Sequence, residues 1–351
     1  MTSNKAFEPA CPLPLSTKKT IQLAHGGGGR LMQELIQDVF LKAFQNPILA
    51  PMHDGATWPV EKGTLAFTTD SYVVRPLFFP GGDIGSLAVN GTINDLAMCG
   101  AKPLYLSAGF ILEEGLSLDV LQRVVHSMAE AARTANVPIV TGDTKVVDRG
   151  KGDGIFINTS GVGLVPNGVR VLPTLIQPGD AILVSGDLGS HGVAVLSVRE
   201  GLTFDGNVES DSAPLHRIVA DLIDSGIEIH CLRDLTRGGL ASVLNELATA
   251  AKVGMTVEEP AIAVSEPVRG ACELLGLDPL YVANEGRFVA MVPESQVEAA
   301  LAVMHRHQAA NQAAQIGIVT ERDPSMVILR TVVGTHRVLD LLSGEQLPRI
   351  C

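Results

Sequence analysis

Aromatic side chains are scarce in this chain, 4% of 351 residues with a single tryptophan, while hydrophobic residues as a whole reach 46%. An interior of that make-up is built from Ala, Val, Leu and Gly, as in α/β enzymes, and it excludes a disordered or fibrous chain. Basic residues are outnumbered, 26 Lys and Arg against 38 Asp and Glu, for a formal net charge of −12. No basic stripe is present to neutralise phosphates, which argues against non-specific binding to nucleic acid or to an anionic membrane. A nucleotide stays open, provided a divalent metal supplies the positive charge. Cysteine is equally thin: Cys11, Cys99, Cys231, Cys272 and Cys351 are scattered, and no CxxC pair occurs. That spacing argues against a cysteine-rich structural zinc site and suits a reducing cytoplasm. Residues 1–20 lack an apolar signal-peptide core, and no run approaches the ~18 apolar residues of a membrane span. The expectation is a soluble, cytoplasmic protein.

The length suffices for two domains, each able to bury its own core, and both halves alternate strands and helices. Residues 1–20 read as an irregular leader and 21–165 as a first domain. The Pro- and Gly-rich stretch 166–180 reads as a linker, 181–340 as a second α/β domain, and 341–351 as a flexible tail. In the first domain an extended run, 21–25, enters Gly26, Gly27, Gly28 and Gly29, and apolar residues at Leu31, Leu35, Ile36, Val39, Phe40 and Phe44 then mark a helical face. Glycines at a helix start let backbone N–H groups approach a phosphate closely, and they serve equally as a hinge. The run has neither the GK[ST] ending of a P-loop nor the spacing of GxGxxG.

A helix is expected between Gly81-Gly82-Asp83 and Cys99-Gly100, with Asn90 and Asn94 four apart on one face and Asp95 beside them. That face is either the solvated side of the helix or a ligand site. Asp54, Asp70, Asp95 and Asp234 each lie in or beside a turn, among Gly, Thr, Asn and Ser. Hard oxygen ligands from separate loops are what Mg²⁺ on a triphosphate requires, although Asp234 or Thr236 would equally cap a helix. The chain closes on Leu347-Pro348-Arg349-Ile350-Cys351. A carboxylate beside that thiol raises its pKa from about 8.5, and Arg349 is the residue that would offset it. From Gly344 the arm spans roughly 25 Å at ~3.3–3.6 Å per residue, enough to carry a group on sulfur into a pocket elsewhere.

Taken together, His25-Gly26-Gly27-Gly28-Gly29, Thr68-Thr69-Asp70-Ser71, Asn90-Gly91-Thr92-Ile93-Asn94-Asp95-Leu96-Ala97, Gly142-Asp143-Thr144-Lys145, Gly189-Ser190-His191-Gly192, Arg233-Asp234-Leu235-Thr236-Arg237-Gly238-Gly239 and the Pro348-Arg349-Ile350-Cys351 ending resemble one family. It is the HypE family of hydrogenase maturation factors, or carbamoyl dehydratases, in the aminoimidazole ribonucleotide synthetase superfamily. The resemblance runs from about Ile21 to Cys351. Selenophosphate synthetase and thiamine monophosphate kinase share the aspartates and ATP but have no reason to end in Pro-Arg-Ile-Cys.

The resemblance implies a two-domain α/β (α+β) fold with mixed sheets. Its ATP-binding N-terminal domain would form a homodimer through its strands, and its C-terminal domain would close over the nucleotide. It implies Mg²⁺ on Asp54, Asp70, Asp95 and Asp234, and ATP contacts from Gly26, Gly27, Gly28, Gly29, Asp70, Asn94, Asp95, Asp143 and Thr144. Cys351, Lys145 and Glu285 are the implied catalytic residues. The implied reaction is dehydration of an S-carbamoyl group on Cys351 to a thiocyanate. Phosphorylating the amide oxygen turns a poor leaving group into phosphate, with charge neutralised by Mg²⁺ and Lys145. Glu285 then acts as a general base whose pKa burial has raised. The implied partners are the carbamoyltransferase HypF upstream and a HypC–HypD complex downstream, which accepts cyanide for the iron of [NiFe]-hydrogenase.

Overall fold

Alternation of apolar and polar residues along the first strands dictates a sheet with one covered face, and a computed structural model contains it. The structure describes residues 29–35, 37, 52, 54, 56–60, 63–202, 208–341, 347 and 349–351. A short helix α1 (Arg30–Leu35) is followed by β1 (Ala56–Val60), β2 (Gly63–Tyr72), the two-residue strands β3 (Phe78–Phe79) and β4 (Gly82–Asp83), and helix α2 (Ile84–Met98). Then come β5 (Lys102–Glu113), α3 (Leu118–Ala135), β6 (Ile139–Val147) and β7 (Ile155–Val165). The long strands form a five-stranded sheet, β1-β2-β7-β5-β6, parallel only between β5 and β6. Ala66, Leu106, Ala108, Ile155 and Ile157 point inward to α2 and α3, whereas Phe67, Tyr105 and Leu164 stand exposed on the opposite face.

Helix α2 starts where the sequence signals a start. Asp83 caps it, accepting from the N–H groups of Gly85 (2.7 Å) and Ser86 (3.1 Å), while Ser86 Oγ accepts from the Asp83 N–H. Nearly every residue of the helix is buried, because it lies between the first sheet and the second domain. Ile84, Leu87, Ile93, Leu96 and Met98 are fully buried, each worth about 1.5–3 kcal/mol. Gly91 is required by close approach: a Cβ there would stand 2.2 Å from Tyr72 Oη.

The second domain continues with β8 (Asp180–Val184), α4 (Ser190–Glu200), α5 (His216–Asp224), β9 (Cys231–Asp234), α6 (Gly239–Ala251) and β10 (Gly254–Glu258). Helix α7 (Glu266–Leu275), β11 (Phe288–Pro293), α8 (Val297–Met304), β12 (Ala314–Thr320), β13 (Val327–Arg330) and β14 (His336–Leu339) complete it. The seven strands run in the order β14-β13-β10-β12-β8-β11-β9. Strands β8 and β11 are buried on both faces, as continuous apolar runs require. Leu240, Leu244 and Leu247 of α6 pack on one side, and Val219, Leu222 and Val303 of α5 and α8 on the other.

The two halves meet along α2. Asn94, 1% exposed, donates from Nδ2 to the carbonyls of Ala213 (3.0 Å) and Glu285 (3.2 Å), and its Oδ1 accepts from the Leu215 N–H at 2.8 Å. The asparagine face of this helix is therefore a buried seam, not a solvated side. The tail also crosses between the halves. The N–H groups of Val73 and Arg75 donate to the carbonyls of Cys351 (3.0 Å) and Arg349 (3.2 Å), an antiparallel pairing just beyond β2. Ile350, 3% exposed, joins the core of Tyr72, Val74, Phe79 and Ile84. The last three residues of the chain, 349–351, are thus seated. Among the described residues no helix is long and apolar enough to cross a membrane.

Candidate active site

The last turns of α2 and the end of β9 bring Asp95 and Asp234 together with Asp54, with one carboxylate oxygen from each within 4.8 Å of the others. Thr68 Oγ sits 2.7 Å from Asp95 Oδ2 and 3.2 Å from the Asp54 carbonyl, tying two of the three to β2. Arg233 Nε lies 2.9 Å from Asp54 Oδ1, and its Nη2 lies 2.9 Å from Glu246 Oε2. Burial, then the charges of Asp234, Asp70 and Asp54, drive the Asp95 pKa well above the carboxylate range. Burial, then Asp54, pushes Asp234 up to about 8 even with Arg233 and Arg237 opposing. Burial likewise raises Asp54, against the pull of Arg233. Three crowded acids destabilised by mutual repulsion form a donor set that a hard divalent cation relieves.

Asp70, the fourth expected ligand, is not one of this trio. Its carboxylate accepts from the Ser71 N–H at 2.7 Å, and its charge acts on Asp95, Asp234, Glu285 and Cys351 alike. Its charge is thus felt both at the acids and at the sulfur. Cys351 is half-buried, and burial pushes its thiol up to about 12, with Arg237 opposing and Glu285, Asp70 and Asp234 reinforcing. The seated sulfur is therefore a thiol, not a thiolate.

Glu285 is 3% exposed, and among the described residues its Oε1 has no hydrogen-bond partner. Burial, then Asp234, Asp70 and Asp211, drives its pKa well above the ordinary value. Its loop is fixed from behind, because the Asp211 carboxylate accepts the N–H groups of Glu285 (3.0 Å) and Gly286 (3.3 Å). Gly286 permits this closeness, since a Cβ there would meet the Asp211 carbonyl at 1.8 Å. His191, fully buried, faces the Ile350 carbonyl through Nε2 at 2.8 Å and Ser210 Oγ through Nδ1 at 2.8 Å. The carbonyl contact requires the proton on Nε2, and burial lowers the His191 pKa, which keeps the ring neutral.

Lys145, Asp143 and Thr144 lie elsewhere, on the exposed edge strand β6. Lys145 Nζ pairs with Asp143 Oδ2 at 2.6 Å, and both side chains are 70% exposed. Among the described residues no hydrogen bond or ion pair joins them to Cys351. Gly29 is buried and accepts the Gln33 N–H through its carbonyl, while Gly26, Gly27 and Gly28 lie outside the described residues. Arg237 and His191 belong to motifs visible in the sequence, but nothing local there assigns either to the tail. A separate 590 Å³ cleft, lined by Met255, Thr256, Arg322, Asp323 and His336, shares no residue with this site.

Comparison with known proteins agrees with this architecture. Residues 52–165 match the model for the N-terminal domain of AIR synthase related proteins, and residues 177–329 match the model for their C-terminal domain. Fold and site together define a two-domain protein of that class. The carbamoyl dehydratase HypE of Azotobacter vinelandii is 54% identical over 332 residues, 95% of this chain and 97% of that one. A crystal structure of hydrogenase maturation protein HypE in complex with ATP superposes with a TM-score of 0.81 at 51% identity, covering 95% of this chain and all of the other. HypE in a crystal structure of a HypE–HypF complex gives 0.84 at 47% identity, covering 88% and 99%. The chain belongs to the carbamoyl dehydratase HypE family.

Proposed function

We propose that this chain dehydrates an S-carbamoyl group on its own Cys351 to a thiocyanate at the expense of ATP, supplying cyanide for the iron of [NiFe]-hydrogenase. The observation that carries the reading is the seating of Cys351 between the halves of the chain, where the charges of Arg237, Glu285, Asp70 and Asp234 converge on its sulfur. A free thiol has no need of such surroundings. The carbamoyl oxygen attacks the γ-phosphorus, the bond to ADP breaks, and carbon is left joined to sulfur, an O-phosphate and nitrogen. Departure of phosphate leaves S–C≡N, and two nitrogen protons are lost in all. Glu285 is our base for one of them. Its raised pKa is the tuning such a role needs, and among the described residues its Oε1 has no partner and can accept.

Asp54, Asp95 and Asp234, with Asp70 beside them, would hold Mg²⁺, which neutralises phosphate charge when bound. We assign the ATP contacts to the glycines 26–29, Asn94 and this acidic group. Asp143, Thr144 and Lys145 reach a nucleotide only across a homodimer, and the exposed apolar face of the first sheet beside β6 supports one. The HypE–HypF crystal structure supports a carbamoyltransferase as the donor partner, and a HypC–HypD complex is our acceptor. The setting is the cytoplasm, where thiols stay reduced.

The test follows the mass of the terminal peptide after incubation with carbamoyl donor, transferase and ATP. A carbamoyl adduct should form and then lose the mass of one water. Cys351→Ala should abolish both events. Glu285→Gln should accumulate the carbamoyl adduct, with dehydration slowed about 10²–10⁴-fold. Dehydration at wild-type rate in Glu285→Gln would remove the base from this scheme.

A further inference from the structure

The seated tail is held by side chains that neither the acids nor the thiol chemistry employs. Arg349 has a positive φ of 54°, a conformation few non-glycine residues adopt without external support. The support is specific. Its Nε donates to the Val73 carbonyl at 2.9 Å, and its Nη1 pairs with Asp153 Oδ2. Asp153 lies in the turn between β6 and β7, and its other oxygen pairs with Arg75. From α4, Arg199 donates through Nη2 to the carbonyls of both Arg75 (2.5 Å) and Arg349 (2.7 Å). His191 closes the row on the Ile350 carbonyl, and Ile350 fills an apolar slot.

We propose that Asp153, with Arg199 and His191, forms a docking clasp that reads Arg349-Ile350-Cys351 and sets how long the sulfur stays seated. These are positioning residues, because none of them is placed at the reacting atoms. The proposal rests on the dehydratase reading in one respect: a sulfur that is carbamoylated by another protein must leave and return. Each part of the clasp has its own function. Asp153 selects the arginine by charge, the slot selects an apolar side chain after it, and Arg199 and His191 take main-chain carbonyls whatever the side chains are. The recognition is therefore strand addition with two side-chain readers.

The experiment uses the full-length protein without ATP or transferase. Alkylation of Cys351 by iodoacetamide is followed by mass spectrometry of the terminal peptide. The buried Cys231 and Cys272 report folding in the same sample by staying unmodified. Asp153→Asn and Arg349→Met should each raise the Cys351 rate about tenfold, as loss of a partly exposed charge-assisted pair predicts. The double variant should be no faster than the faster single one, and Arg349→Lys should recover part of the protection. An unchanged rate in Asp153→Asn, or effects that multiply in the double variant, would overturn the clasp. Alkylation needs no catalysis, so the dehydratase reading is judged separately.

Discussion

With burial and Asp54 holding the Asp234 carboxyl up to about 8, the trio of acids carries fewer than three charges near neutral pH. A carboxyl whose folded pKa lies above its unfolded value of about 3.9 binds its proton more tightly in the folded chain. Its contribution to stability is greatest at acid pH and is lost as pH rises toward the folded value. In metal-free buffer the denaturant midpoint should therefore fall between about pH 5 and about pH 8. Asp234→Asn should flatten that fall and stand on the order of 1–3 kcal/mol above the wild type at the alkaline end. The same substitution should cost Mg²⁺-dependent stabilisation. An unaltered pH profile in the variant would show that Asp234 does not carry the strain assigned to it.

At the scale of elements, α2 decides most. Asn94 satisfies three main-chain groups of the second domain at once, so Asn94→Leu strands the Leu215 N–H and the carbonyls of Ala213 and Glu285. A loss of about 2–4 kcal/mol in denaturant unfolding is expected, against near neutrality for an exposed asparagine. The ends of this helix were legible beforehand, because Gly81-Gly82-Asp83 marks a local start, which the structure completes with Ser86, and Cys99-Gly100 a local stop. The fate of its asparagine face was not. Period alone places Asn90 and Asn94 on one side, and only the second domain's arrival makes that side interior. The four aspartates were readable as oxygen donors, while which of them cluster depends on tertiary packing, because Asp54, Asp95 and Asp234 come from separate parts of the chain. Asp153 and Arg199 carry no sequence signal for the tail at all, since each meets Arg349 only through tertiary packing.

For the molecule as a whole, the five-stranded sheet leaves Phe67, Tyr105, Ile111, Val140, Val146 and Leu164 exposed. Burying such a face against a second copy would give the proposed homodimer, and Phe67→Glu with Tyr105→Glu should convert it to monomer in light scattering. A homodimer would also give Lys145 a place to act. Lys145→Ala and Cys351→Ala chains, each inactive alone, should regain dehydration when mixed into heterodimers, because one intact site can then be assembled. Failure of the mixture, with heterodimers verified, would confine Lys145 to a role within its own subunit.

Asn94 and Asp95 are consecutive residues on a rigid rod. One grips the second domain and the other faces the acid cluster. The acid cluster and the interdomain joint are thus separated by a single peptide unit within one helix, with no hinge between them. A ligand that shifted Asp95 would therefore also load the Asn94 contacts, including the one to the loop that carries Glu285.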